Sequence, residues 1–221
     1  MEFHTIGVPR IGECAPVFEA FTTQGTVKLE DYKGKWLILF SHPADFTPVC
    51  TTEFIAIARL YPEFQKRGAE LLGLSVDSNS SHIAWLRNIE EKAEIRVPFP
   101  IIADSNKEVS ILYGMMMPGE SKTVTVRSVF FIDPDQRIRC ILYYPDSTGR
   151  NTDELVRILD SLRTADEYKV ATPANWKPGE PVVVPPPQTQ EEADERMNQG
   201  YDCTDWYLCR KTIGAKETPR R

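Results

Sequence analysis

The stretch WLILFSHPADFTPVCTTE, residues 36–53, joins a short apolar segment to a lone cysteine through a loop that contains two prolines. The run from Trp36 to Phe40 has the length and the aliphatic and aromatic content of a strand buried on both faces. After Cys50, apolar residues recur at the spacing of an amphipathic helix: Phe54, Ile57, Ala58, Tyr61 and Phe64. The stretch therefore predicts a strand, a loop and a helix, with Cys50 in or beside the first helical turn.

This predicted position of Cys50 suits a reactive thiol. The first turn of a helix offers backbone N–H groups without intrahelical acceptors, together with the positive end of the helix dipole, and both favour a thiolate over a thiol. A free cysteine can equally be a small buried apolar residue. Placement alone leaves both interpretations open.

The residues around Cys50 form a recognisable motif. Pro43, Thr47 and Cys50 have the spacing P-x-x-x-T-x-x-C, and the segment PADFTPVC resembles the active-site motif of peroxiredoxins. The similarity continues in the family's order through LLGLSVDS, FPIIADSNKEVSILYGM and VRSVFFIDPDQRIRCILYYPDSTGRN, and it covers roughly residues 5–165. Because His42 precedes the proline and a long C-terminal arm follows, the chain is most similar to the one-cysteine subgroup and its archaeal and bacterial relatives.

Alternating strand and helix patterns predict a layered α/β domain with a partly parallel sheet. The resemblance narrows this to a thioredoxin-like fold, with a mixed central sheet flanked by helices and an extended C-terminal arm. We place the peroxidase domain at residues 1–169 and the arm at 170–221.

Residues 129–132 and 138–144 predict an antiparallel hairpin, whose alternating pattern puts Cys140 in the core. Cys14 is expected to have no role in the chemistry. Ser80 or Ser81 is expected to cap a helix with an inward face of Ile83, Leu86 and Ile89.

The resemblance also implies roles for individual residues. Arg127 matches the arginine that peroxiredoxins place against the reactive sulfur, and Arg150 matches a second active-site arginine of the subgroup. A guanidinium beside the sulfur would favour the thiolate and stabilise negative charge in the transition state. The Thr47 hydroxyl is expected to orient the peroxide. Pro43 is expected to shield the sulfur from water. His42 is expected to be a hydrogen-bonding neighbour, and Glu53 a partner for an arginine.

The C-terminal arm differs in character from the rest of the chain. Six prolines lie between residues 173 and 187, an acidic run follows, and no period of 3.6 or 2 persists. We therefore expect the arm to build no core of its own and to lie along another surface. Its aromatic residues indicate docking at a subunit interface: Trp176, Tyr201, Trp206 and Tyr207. The family resemblance implies a homo-oligomer in which dimers assemble into a decameric ring.

Cys203 and Cys209 of the arm have three interpretations. As a zinc pair, C-x5-C has the wrong spacing and lacks two ligands. As inert thiols, they would be oddly placed near the end of a proline-rich arm. As partners for a sulfenic acid at Cys50 they make chemical sense, since a resolving thiol must be accessible. We expect Cys209 to resolve Cys50, with Cys203 as the second candidate, because basic residues follow Cys209 whereas aspartates lie near Cys203.

Composition limits the setting in which the protein acts. The net charge of −6 gives no electrostatic reason to expect nucleic acid or an anionic membrane as a partner. No apolar stretch approaches the roughly 20 residues of a membrane span, and the first ten residues lack the apolar region of a signal peptide. Five cysteines, an odd number in a chain of this size, fit a reducing compartment. The cytoplasm is the expected location.

The sequence thus predicts a thiol peroxidase that acts on hydrogen peroxide and small alkyl hydroperoxides without a metal or organic cofactor. Cys50 becomes a sulfenic acid, an arm thiol converts it to a disulfide, and a dithiol protein of thioredoxin or glutaredoxin type reduces that disulfide. A disulfide oxidoreductase on the same fold is disfavoured because Cys50 is not part of a C-x-x-C pair. A ring-forming holdase chaperone or peroxide sensor remains an alternative.

Overall fold

The computed structural model describes residues 8–213, and the chain divides into two units at Asp153. The first unit contains a mixed seven-stranded sheet. The sheet order is β2-β1-β5-β4-β3-β6-β7. β3 pairs in parallel with β4, and β4 with β5, whereas β6 pairs antiparallel with β3. The predicted mixed sheet is therefore confirmed. The strands are β1 (Glu19–Thr22), β2 (Gly25–Lys28), β3 (Trp36–Ser41), β4 (Ala69–Ser75), β5 (Ile101–Ala103), β6 (Arg127–Ile132) and β7 (Ile138–Tyr144).

The central strand β3 leads directly into the loop and helix of the opening stretch. Every residue of β3 is buried between β4 and β6, as its continuous apolar sequence requires. Helix α1 (Pro48–Lys66) begins with a proline, which lacks only an N–H that would have had no intrahelical acceptor. Cys50 is the third helical residue. The strand, loop and helix predicted for this stretch are confirmed.

Helix α2 (Asn79–Ala93) turns a different face inward from the predicted one. Its buried residues are His82, Trp85 and Ile89, whereas Ile83 is 42% exposed. The face is shifted because the polar His82 finds hydrogen-bond partners inside the protein, which outweighs burial of one more isoleucine. The cap was also misplaced, since the Ser78 side chain accepts from the backbone N–H of Ser81 and the helix starts before Ser80.

The hairpin of β6 and β7 is confirmed, and helix α3 (Glu108–Leu112) precedes it. Because β7 lies at the edge of the sheet, Cys140 is half-buried, so its predicted place in the core was wrong. Cys14 is exposed.

None of the helices in the described part of the chain has the length and apolar character needed to cross a membrane.

The second unit begins at Asp153 and contains most of helix α4 (Thr152–Tyr168), together with α5 (Gln190–Arg196) and a small three-stranded sheet. The sheet order is β8-β10-β9, with β8 at Val182–Val183, β9 at Asp202–Asp205 and β10 at Leu208–Lys211. The division between the units thus lies directly after Thr152, the first residue of α4, whereas we placed the start of the arm at residue 170.

The arm has a small apolar cluster of its own, so the prediction that it builds no core was wrong. Val170, Trp176 and Val182 are buried together. The Trp176 ring also donates to the carbonyl oxygen of Glu180 at 3.0 Å, which makes this aromatic residue part of the unit's interior. Of the aromatic residues expected to dock elsewhere, Trp206 and Tyr207 are 44% and 55% exposed.

Candidate active site

Cys50 lies fully buried in the first turn of α1 and carries a free thiol. Thr47 is the N-cap residue of α1, with extended backbone angles of φ −103° and ψ 148°. Its carbonyl oxygen accepts the first helical hydrogen bond from the backbone N–H of Thr51 at 3.0 Å. The sulfur is thus held at the helix end where backbone N–H groups and the helix dipole favour negative charge.

Arg127, at the start of β6, makes the direct contact with this sulfur. Its Nη1 donates to Cys50 Sγ at 3.1 Å and to Glu53 Oε2 at 2.9 Å. Its Nε and Nη2 donate to the carbonyl oxygen of Asp146 at 3.1 and 2.9 Å, and Nη2 also donates to the Asp146 carboxylate at 3.2 Å. These contacts occupy the five N–H groups of the guanidinium. Although burial opposes its charge, the hydrogen bond to Cys50 and the negative charge of Glu53 raise the pKa of Arg127.

Glu53 joins Arg127 to the second arginine. Its Oε1 accepts from Arg150 Nε at 2.9 Å and from the Arg150 backbone N–H at 2.8 Å, and its Oε2 accepts from Arg150 Nη2 at 2.6 Å. Arg150 Nη1 donates to the carbonyl oxygens of Ser41 and Ser128 at 2.9 and 3.2 Å. The paired, planar contacts fix both arginines relative to the end of β3.

The buried charges of this network do not cancel among themselves. Arg127, Arg150 and Glu53 are all buried and together carry one excess positive charge, whereas the Asp146 carboxylate that also contacts Arg127 is 66% exposed and is screened by solvent. An uncompensated buried charge is costly. A thiolate at Cys50, in direct contact with Arg127, would balance the charge.

Thr47 and Pro43 lie in the loop that enters α1. The Thr47 hydroxyl donates to the carbonyl oxygen of Ala44 at 2.8 Å, so the lone pairs of its oxygen remain available to accept a hydrogen bond. Pro43 is buried in the same loop. The geometry is compatible with the roles expected for both residues, which stay predictions.

His42 belongs to a second buried network, which includes two residues that the sequence analysis missed. His42 Nε2 lies 2.9 Å from Asp45 Oδ1, and His82 Nδ1 lies 2.8 Å from Asp45 Oδ2. His42 Nδ1 is buried without a hydrogen-bond partner among the described residues. The spacing of His42 and Asp45, three residues apart around a proline, was the available signal for Asp45. His82 gave none, because it interrupts the apolar pattern of α2.

Among the described residues, these three are the set of His, Cys, Asp and Glu side chains close enough to hold a metal ion. Metal binding requires ring nitrogens without protons. The separations of 2.8 to 3.0 Å between ring nitrogens and the Asp45 carboxylate are those of N–H···O hydrogen bonds. The network is therefore a hydrogen-bonded cluster in this structure.

Cys203 and Cys209 lie in the second unit and form a disulfide with one another. The two residues are opposite each other in the antiparallel pair of β9 and β10. Cys209, on the central strand β10, is 1% exposed, whereas Cys203, on the edge strand β9, is half-buried. The sequence analysis did not consider this pairing, although two cysteines on either side of a short turn are a signal for a cross-strand disulfide.

The chain is similar to known proteins over nearly its whole length. Residues 11–141 match the AhpC/TSA family, and residues 161–200 match the C-terminal domain of 1-Cys peroxiredoxin. A curated relative from Aquifex aeolicus (strain VF5), named "Peroxiredoxin", is 56% identical over 94% of this chain and 99% of its own length. A relative of the same name from Methanosarcina mazei is 54% identical over 92% of this chain and 98% of its own length.

Two solved structures show the same fold. A yeast mitochondrial 1-Cys peroxiredoxin superposes with a TM-score of 0.81 at 45% identity and covers 92% of this chain and 99% of its own. A cysteine-to-serine mutant of the peroxiredoxin 6 of Arenicola marina gives a TM-score of 0.82 at 37% identity, covering 97% and 100%. The predicted thioredoxin-like fold of this family is confirmed.

Proposed function

The chain belongs to the peroxiredoxin family and is a thiol peroxidase, and we propose that it reduces hydrogen peroxide and small alkyl hydroperoxides through a sulfenic acid at Cys50. The observation that carries this proposal is the 3.1 Å contact of Arg127 Nη1 with Cys50 Sγ, within a buried network of one excess positive charge. That arrangement supports an ionised sulfur without a metal ion.

In the proposed reaction a lone pair of the Cys50 thiolate forms a bond to one peroxide oxygen, and the O–O bond breaks. The second oxygen leaves with the bonding electron pair, takes up a proton and departs as water or an alcohol. Arg127 can stabilise the negative charge shared between sulfur and oxygens in the transition state. The free lone pairs of the Thr47 hydroxyl support a role in accepting the peroxide O–H, and the burial of Pro43 supports a role in shielding the sulfur from water.

The arginine contact leads to a first prediction. Arg127→Ala should slow both alkylation of Cys50 by iodoacetamide and its oxidation by peroxide at neutral pH, by roughly 10²-fold to 10³-fold for peroxide, since a preorganised donor to developing charge is lost. Arg127→Lys keeps the charge but loses the planar fork, so it should recover part of each rate. Stopped-flow measurement of both reactions checks this. Unchanged kinetics in both variants would show that the arginine has only a structural role.

Regeneration of Cys50 completes the proposed cycle. The sulfenic acid condenses with the thiol of Cys209, water is released, and a dithiol protein of thioredoxin or glutaredoxin type reduces the resulting disulfide. Because the structure joins Cys203 to Cys209, this step requires the reduced arm. The exposed pair Trp206 and Tyr207 supports a contact of the arm with another copy of the chain. A homo-oligomer, a ring of dimers and a cytoplasmic location remain predictions.

Turnover separates an enzyme from the alternative of a peroxide sensor or holdase. With the chain at catalytic concentration, peroxide in excess and a thioredoxin system as electron source, many equivalents of hydrogen peroxide should be consumed per chain. A parallel assay with glutathione and glutaredoxin identifies the better reductant. Consumption that stopped at one equivalent with every dithiol reductant would support a sensor.

A further inference from the structure

The guanidinium of Arg127 is held on two sides. On one side, Nη1 contacts Cys50 Sγ at 3.1 Å and Glu53 Oε2 at 2.9 Å. On the other side, Nε and Nη2 both donate to the carbonyl oxygen of Asp146, at 3.1 and 2.9 Å. Because the guanidinium is planar and rigid, two bonds from one edge to a single oxygen fix the direction of the opposite side. The direction in which Nη1 points therefore depends on where the Asp146 carbonyl lies.

Asp146 lies in a loop of five exposed residues, 145–149, which follows β7. The loop contains a turn in which the backbone N–H of Thr148 donates to the carbonyl oxygen of Pro145 at 3.2 Å, with Asp146 as its first central residue. Exposed connecting segments are more mobile than the strands that they join. The buried Arg127 thus takes part of its orientation from an exposed loop, and the position of that loop becomes important for the site.

Glu120 holds this loop from another segment of the same unit. Its Oε1 accepts a hydrogen bond from the backbone N–H of Asp146 at 2.9 Å. Asp146 is therefore bound at both of its backbone polar groups, by Glu120 at the N–H and by Arg127 at the carbonyl oxygen. A carboxylate oxygen is a stronger acceptor for an N–H than a neutral group. Water could accept from the same N–H, but a freely exchanging water molecule would not fix the loop.

The turn that carries Glu120 is itself anchored. The backbone N–H groups of Glu120 and of the next residue both donate to the carbonyl oxygen of Met117, each at 2.9 Å. Met115 is fully buried, and its carbonyl oxygen accepts from the backbone N–H of Val126 at 2.9 Å, directly before β6 begins. The segment 115–126 is thus tied to the buried start of β6, so the carboxylate of Glu120 extends from a fixed point.

We propose that Glu120 is a positioning residue of the peroxidase reaction, which holds the backbone of Asp146 and thereby keeps Nη1 of Arg127 directed at the Cys50 sulfur. Glu120 acts through these two residues and is assigned no contact with the peroxide. The kinetic consequence rests on the proposed role of Arg127, whereas the hydrogen bond of Glu120 does not.

The first test compares Glu120→Ala with Glu120→Gln. The alanine variant should react roughly threefold to tenfold more slowly with hydrogen peroxide at Cys50, and more slowly with iodoacetamide, since the loss of one hydrogen bond loosens Arg127 without removing it. The glutamine variant keeps an oxygen acceptor of the same reach without the charge, so it should recover most of both rates. Stopped-flow measurement on reduced full-length protein gives the rates, and thermal melting shows whether each variant is folded.

The second test is a double-mutant cycle with Arg127→Ala. If Glu120 acts through Arg127, then Glu120→Ala should cause no further loss of rate once the arginine is absent. A residue that affects only the stability of the fold, or that acts by its own charge, would cause the same loss in both backgrounds. The comparison of alanine with glutamine remains decisive if the double variant does not fold.

Glu108→Ala is the matched control. Glu108 is an exposed glutamate on α3, and within residues 8–213 its side chain accepts no hydrogen bond and forms no ion pair. It should react at the wild-type rate. Wild-type kinetics in Glu120→Ala, equal rates in the alanine and glutamine variants, or an additive cycle would each overturn the proposal. If Arg127→Ala itself reacts at the wild-type rate, the proposed role of the arginine fails as well.

Discussion

Cys50→Ser is expected to abolish peroxide reduction, including the first turnover, with a loss on the order of 10⁴-fold or more in rate. A serine hydroxyl is not ionised near neutral pH, even beside Arg127, and its oxygen cannot form the sulfenic acid on which the cycle depends. The measurement is stoichiometric: one equivalent of hydrogen peroxide is mixed with reduced protein, and residual peroxide is followed with time. The wild type should consume the equivalent and the variant should not.

Cys14→Ser and Cys140→Ser are the matched controls, because they remove other thiols from the same unit. Cys14 is exposed and Cys140 is half-buried on the edge strand, so both substitutions avoid the buried arginine network. Each should keep the first turnover nearly intact. Substantial peroxide consumption by Cys50→Ser would remove the assignment of this residue as the nucleophile.

The arrangement around Cys50 could be predicted from sequence to the extent that it depends on local pattern and on family motif. A run of apolar residues with no polar interruption specifies the buried strand β3, and a proline one residue after Thr47 specifies where α1 begins. The motif supplied Arg127 and Arg150, which lie more than 70 residues beyond Cys50 in sequence and which no local pattern would place beside it.

The missed features depend on two kinds of contact that no sequence period reveals. His82 looks like a solvent-facing residue on α2 until the Asp45 carboxylate, 37 residues earlier, gives it a buried partner. In the arm, the disulfide joins two short strands that pair through few residues, and Trp176 packs with Val182 of the two-residue strand β8. Such strands are too short to show a period. Sequence patterns therefore fail to predict two kinds of feature: buried polar residues that find hydrogen-bond partners inside the protein, and strands of only two to four residues.

The disulfide between Cys203 and Cys209 gives the resolving step a sharper test. Cys209→Ser should consume one equivalent of hydrogen peroxide per chain and then fail to turn over with a thioredoxin system, because the sulfenic acid at Cys50 lacks its thiol partner. Steady-state turnover should fall at least tenfold.

Cys203→Ser is the matched variant, and it is expected to turn over at the wild-type rate or faster. The substitution removes the competing partner of Cys209, so the resolving thiol can no longer be sequestered within the arm. Accessibility favours Cys203 as the resolving thiol instead, because Cys203 is half-buried on an edge strand, whereas Cys209 must leave the central strand β10 before it can react. We still expect Cys209 to be the resolving thiol, since Arg210 and Lys211 favour its thiolate once the disulfide is reduced.

Peptide mapping without reductant decides between the two thiols. After one equivalent of peroxide, fully reduced wild-type protein should contain Cys50 linked to Cys209, and the link should form between two chains if the arm contacts another copy. Because Cys209 is 1% exposed on the central strand β10, this product requires local opening of the small sheet that holds it. If Cys209→Ser turns over normally and Cys203→Ser does not, Cys203 is the resolving residue. If both turn over normally, the enzyme works as a one-cysteine peroxidase that an external thiol regenerates directly.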